Sequence, residues 1–99
     1  MNKPVQVDID AILEERGKRY GGFSSHAYIT QRLKFMTHEH AEAYDVHLTA
    51  SAKEALDMIF HKIGRIVNGD PTYVDSWDDI AGYAKLQADI IRNTPSKKS

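Results

Sequence analysis

Lys62 and Arg65 stand three residues apart near the end of one amphipathic segment, and Asp75 and Asp79 stand four apart at the start of the next. Helical spacing keeps each pair on neighbouring positions, and the compact turn Asn68-Gly69-Asp70-Pro71 brings the two pairs towards one neighbourhood. Cations gathered there can bind phosphate, and carboxylates gathered there can hold a divalent metal. The same charges also suit the ends of helices, since cations stabilise a helix C-terminus and carboxylates an N-terminus. The resting arrangement expected is an ion pair of these cations with Asp79 or Asp75, for which a phosphate can compete.

A second candidate lies upstream. In Arg16-Gly17-Lys18-Arg19-Tyr20-Gly21-Gly22-Phe23, three cations and two aromatics interleave with glycines, a combination able to hydrogen-bond phosphate and stack on a base. An equally simple reading makes it a surface loop whose aromatics plug the helical core. A nucleotide-sized pocket results if this loop folds over the Lys62/Arg65 end of the downstream helix.

These segments resemble a family of small, mostly phage-encoded all-α proteins of MazG-like, nucleotide pyrophosphohydrolase-like character. The pattern is Lys-x-x-Arg on one helix and Asp-Ser-x-x-Asp-x-x-Gly-Tyr on the next, met here by Lys62, Arg65, Asp75, Ser76, Asp79, Gly82 and Tyr83. Arg16-Gly17-Lys18-Arg19-Tyr20-Gly21 fits an Arg-Gly-x-x-Tyr-Gly entry motif. The resemblance covers most of the chain and implies nucleotide handling on a helical scaffold in the cytoplasm of a phage host. It adds weight to Tyr20 and Gly21, and the expected ligand-binding residues are Arg16, Lys18, Arg19, Tyr20, Lys62, Arg65 and Tyr83. Enzymes of the MazG type use Mg²⁺ held by acidic groups on adjacent helices to direct water onto a nucleoside triphosphate. Here Glu54 and Asp57, with Asp75 and Asp79, are the metal ligands under that alternative, although the full acidic triplet is absent and Glu54 and Asp57 project away from the apolar face of their helix.

Other chemistry has weaker signals. His38-Glu39-His40 places two histidines on nearly opposite sides of a helix, unlike paired i, i+4 zinc ligands, and reads as solvent-exposed helix. His61 lies four residues after Asp57 and four before Arg65, a polar-face neighbour in a charged row rather than a marked general base. No Ser, His and Asp spacing signals nucleophilic catalysis, and no glycine cluster joins a strand to a helix as phosphate loops require.

A net charge of −1 argues against nonspecific nucleic-acid binding, so any anion site must be local. The absence of cysteine excludes thiolate nucleophiles, disulfides and Cys-ligated zinc, and suits a reducing cytoplasm. No segment approaches the roughly 20 apolar residues of a membrane span, and the N-terminus lacks the apolar core of a signal peptide.

Four helices must position these groups, in a single domain over 1–93 with a frayed tail over 94–99. A short helix over about 8–16 carries Ile9, Ile12 and Leu13 and is ended by Gly17, and 17–24 reads as a flexible connection. A second helix, capped by Ser24 or Ser25, runs to about 43. The third opens at a Ser51/Glu54 capping box, with Thr49 as an alternative cap, and stops at Asn68-Gly69. The fourth starts at Asp75 or Ser76 and ends near 93. It carries two apolar stripes, Trp77/Ile80/Ala81/Ala84/Ala88/Ile91 and Tyr83/Leu86/Ile90, of which one monomer can cover only one. The second stripe is therefore assigned to a partner subunit, and Gly82 to close packing. The expected molecule is an all-α homo-oligomeric bundle that binds a nucleotide or nucleotide-derived signal without turnover and without a cofactor, in an anti-defence setting. The alternatives are a divergent Mg²⁺-dependent pyrophosphohydrolase and a module that inhibits a host protein.

Overall fold

A computed structural model describes residues 8–95, and every regular element in that range is a helix. The order is α1 (Ile9–Tyr20), α2 (Phe23–Ala43), α3 (Ala50–Asn68) and α4 (Val74–Asn93), one short helix followed by three of 19 to 21 residues. Among the described residues no helix is long and apolar enough to cross a membrane. Of the tail expected over 94–99, Thr94 and Pro95 are exposed and the rest lies outside the described residues.

The first connection is shorter than expected. Asp8 caps α1 by accepting from the Ala11 amide at 3.1 Å, and the helix runs through Gly17, where a Cβ would meet nothing, to end at Gly21. Gly21 takes φ +80°, a left-handed conformation that glycine adopts without steric cost. Gly22 then serves as the N-cap of α2, so the helix begins before Ser24 and Ser25. Gly17 failed as a stop because a glycine in a helix costs only about 1 kcal/mol relative to Ala.

The other boundaries follow local chemistry. Helix α2 ends in a Schellman turn: the Val46 amide donates to the Ala41 carbonyl at 2.8 Å and Asp45 takes φ 56°. Of the two caps considered for α3, Thr49 is used, its hydroxyl accepting from the Ala52 amide at 3.2 Å. Helix α4 begins at Val74, after an N-cap Tyr73 whose side chain makes no capping bond.

Helix α3 is the centre of the molecule. It packs against α2 on one side and α4 on the other, whereas no Cα atoms of α2 and α4 approach within 8 Å. Its buried residues, Phe60, Lys62, Gly64 and Ile66, advance by twos and so point to alternate sides, as a sandwiched helix requires. Gly64 admits α2 closely: a Cβ there would sit 2.8 Å from Thr30 Cγ2 and 2.9 Å from the His26 ring. On the other side Lys62 Nζ lies 3.0 Å from Asp79 Oδ2, the expected ion pair, with the lysine buried and the aspartate half exposed.

The assignment of the α4 stripes is corrected. Ser76, Ile80, Tyr83 and Gln87 are withdrawn from solvent along α4, a spacing of four, three and four that runs down one face, with Ala88 and Asp89 partly covered beside Gln87. Each expected stripe is divided: Ile80 and Ala88 of the first and Tyr83 of the second turn inward, whereas Trp77 and Ile91 of the first and Leu86 and Ile90 of the second stay exposed, as does Val74. The Lys62–Asp79 pair sits at the edge of the inward face. Gly82 faces open space.

Candidate anion-binding site

The two glycine-rich turns of the chain interlock. Gly21 of the α1–α2 junction lies so close to Asn68 that a Cβ would overlap the Asn68 carbonyl, and Gly69 is pressed in the same way onto Arg19 and Tyr20. The Asn68 amide donates to the carbonyls of Tyr20 at 3.0 Å and Gly22 at 2.9 Å, and its oxygen accepts from the Ser25 hydroxyl. The Asp70 amide donates to the Arg19 carbonyl at 2.8 Å. Side chains extend the clasp: the Arg65 guanidinium lies 4.4 Å from the centre of the Tyr20 ring, Tyr20 meets Tyr73 edge-on at 6.1 Å, and Arg19 lies 4.4 Å over Tyr73.

Between this clasp and α3 lies a cavity of about 530 Å³, within the size range of small-molecule sites. Its charged lining is Arg16 from α1 and Arg65 from α3, joined by His26 of α2 and His61 of α3. Tyr20, Phe23 and Leu13 give it apolar surface. No carboxylate contributes to the lining. Two larger concavities, of about 760 and 630 Å³, run along α2, but both include Glu39 and lack this uniform charge.

The opening turn of α2 contributes a further positive element. Gly21, Gly22 and Phe23 line the cavity, Gly22 offers no capping side chain, and the first turn of α2 has no acidic residue. Its leading amides and the positive end of the helix dipole therefore remain available to an anion. His26, only 9% exposed, places Nδ1 against the Gly64 backbone. The His26 and His61 rings are 5.5 Å apart. Burial first, and then the neighbouring cations and the second imidazole, hold His26 below the ordinary histidine value. Burial, Lys34 and Arg65 do the same for His61.

The sequence-derived candidates separate into distinct places. Arg16, Tyr20 and Arg65 come together in the cavity, so the glycine-rich segment does fold over the Arg65 end of α3. Lys62 is engaged with Asp79 on the α4 side. Lys18 pairs with Glu14 along α1 at 3.7 Å, and Arg19 is taken up by Tyr73 and Glu15. Tyr83 is half-buried on α4 and does not line the cavity. Of the proposed metal ligands, Asp79 faces Lys62, Asp75 accepts from the Tyr73 hydroxyl at 2.8 Å, Asp57 faces His38 at 3.4 Å, and Glu54 is exposed. Among the described residues no three acidic or histidine side chains gather as a metal site. His38 is half-buried beside Asp57 rather than fully exposed, because it turns towards α3; the two atoms are close without the alignment of a hydrogen bond.

His26 was missed by sequence reasoning, and His61 was set aside. The usable signal was Gly64, a mid-helix glycine three residues after His61 that creates the close approach between α2 and α3.

A family model describing a domain of unknown function, DUF6378, matches residues 7–91. The chain belongs to the DUF6378 family. The match spans both glycine-rich turns and all the charged cavity residues. No curated protein and no solved structure matches this DUF6378 chain.

Proposed function

We propose that this DUF6378 protein binds a nucleotide or nucleotide-derived phosphate ligand in the cavity between α1, the start of α2 and α3, and that it sequesters or senses the ligand without turning it over. The observation carrying this reading is the lining itself: Arg16, Arg65 and the uncapped start of α2 face one cavity with Tyr20 and Phe23 beside them and no carboxylate among them. The cations and amides suit phosphate, and the rings suit a base. Binding is favoured over MazG-type hydrolysis because Asp57, Asp75 and Asp79 are engaged at separate places, Glu54 is exposed, and none of the four lines this cavity. The resemblance to phage-encoded proteins adds an anti-defence setting, in which capture of a host nucleotide signal is sufficient.

The proposal includes self-association. Phe60 and Ile66 are the buried apolar residues of the described chain, while Val74, Trp77 and Ile91 lie open along one face of α4 with the small residues Ala81 and Ala84 between them. A second copy laid on that stripe buries side chains worth about 1.5 to 3 kcal/mol each, and the alanines permit close approach.

The test is a thermal-shift panel of mono-, tri- and cyclic nucleotides with and without Mg²⁺. A binder is stabilised by at least one nucleotide in the absence of metal, and product analysis shows no turnover. Metal-dependent hydrolysis, or no stabilisation by any member of the panel, refutes the reading.

A further inference from the structure

Resting on the nucleotide-binding reading, we infer that the cavity selects a terminal phosphate, the dianionic group of a phosphate monoester, over a phosphodiester, and that the ligand enters together with a proton taken up by the His26/His61 pair.

Charge balance motivates the inference. Arg16 and Arg65 are permanent cations, the start of α2 adds a partial positive charge, and the lining contains nothing negative. A phosphodiester brings a single charge, whereas a monoester brings nearly two near neutral pH and presents three terminal oxygens. The surplus positive field therefore favours the monoester.

The imidazoles supply the coupling to protons. Lys34 Nζ lies 3.4 Å from His61 Nε2, and an ammonium can only donate, so this contact favours a neutral His61 ring. Opposite it, His26 is enclosed, its Nδ1 turned onto the Gly64 backbone. The groups facing His26 are His61 and Arg65 from α3 and Lys34 from its own helix, with the Gly64 backbone acting in the other direction. Those facing His61 are Lys34 from α2 and Arg65 and Lys62 from α3, against Asp57 alone. From α1, Arg16 lines the same cavity. Cations thus surround two imidazoles that burial already disfavours charging, and both are held below the usual histidine range. A dianion placed among them offsets most of that positive field and makes a charged imidazole less unfavourable. One imidazole then takes a proton from solvent, and the complex contains imidazolium and dianion where the free protein had a neutral ring. His26 is the better recipient, because charging His61 would set two cations face to face with Lys34.

Calorimetry of the full chain with 5′-AMP and 3′,5′-cyclic AMP, which share base and sugar and differ at the phosphate, tests this directly. Titrations between about pH 7 and 8, where AMP is already dianionic, in buffers of different ionisation enthalpy, report the proton count. The expected result is AMP binding at least about tenfold tighter than cyclic AMP, uptake approaching one proton per site, and affinity that falls as pH rises. His26→Gln should reduce proton uptake. In the wild-type protein, NMR titration of the imidazole Cε1 protons should show a histidine pKa raised by AMP, a readout that needs no variant to fold. Equal affinities, or binding without proton uptake and without a moved histidine, overturn the inference and leave nucleotide binding standing. Failure of both nucleotides to bind at every pH overturns the inference, and the nucleotide reading itself falls only if the whole thermal-shift panel is silent as well.

Discussion

Gly64 lacks a side chain, and that lack brings α2 onto α3. Thr30, 2% exposed, and the His26 ring occupy the space a methyl group would need. Gly64→Ala is therefore an overpacking substitution despite the better helix propensity of alanine, and it should cost about 1 to 3 kcal/mol. The melting temperature should drop by several degrees; a rise would show that the helices part freely at this point. The imidazole packed beside Gly64 gives the molecule a pH dependence. His26 and His61 both sit below the 6.5 of an ordinary histidine, chiefly through burial and then through neighbouring charges. As pH falls, the unfolded chain binds protons first. The stability linked to this pair is consequently intact above about pH 6.5 and is lost as pH drops from there through the lowered folded-state values. Melting curves without ligand should be level from about pH 8 to 7 and decline below about 6.5, while the His26→Gln/His61→Gln double variant should decline less. Matching curves for the two proteins would remove the histidines as the cause.

At the scale of elements, α3 divides its charges between two neighbours. Lys62 serves α4 through Asp79, and Arg65 serves α1 through Tyr20. Asp79→Asn leaves a buried ammonium without its counter-charge. Because Asp79 is half exposed, the loss should exceed the ~0 to 1 kcal/mol of a surface pair and fall short of the ~3 to 5 kcal/mol of a fully buried one. Nucleotide affinity should stay unchanged, since neither partner lines the cavity, and an affinity change above about tenfold would reconnect the pair to the site. Much of this arrangement was legible in the sequence. The helix count and the stop at Asn68-Gly69 follow from local spacing, whereas the Ser51/Glu54 box gave way to the alternative cap Thr49, and of the two partners open to Lys62 the structure takes Asp79. The partition of Lys62 from Arg65 was not legible, because residues three apart on a helix differ by about 60° and only the placement of α1 and α4 assigns them to different sides. Gly17 and Gly21 likewise look equivalent in sequence, and contact with Asn68 makes Gly21 the terminator. The His26/His61 pair was invisible for a related reason: its members come from different helices and meet through a glycine.

For the whole molecule, the layer of α2, α3 and α4 leaves both outer helices with one side unsupported. Leu86 and Ile90, from the stripe first assigned to a partner, remain exposed at 62 and 47%, and Trp77, Val74 and Ile91 are open as well. Sedimentation should therefore show a dimer or larger species at micromolar concentration, and Trp77→Lys with Ile91→Lys should shift it towards monomer; a wild-type monomer would reject self-association through α4. The central claim, however, concerns the cavity between the clasp and α3. Isothermal titration of a 5′-nucleotide into the wild-type protein and into Arg65→Ala tests it most directly. Loss of one charged hydrogen-bonding group should weaken binding by roughly 1.5 to 3 kcal/mol while the variant stays folded. Equal affinity of the folded variant and the wild type would contradict the site, even if the protein bound nucleotides elsewhere.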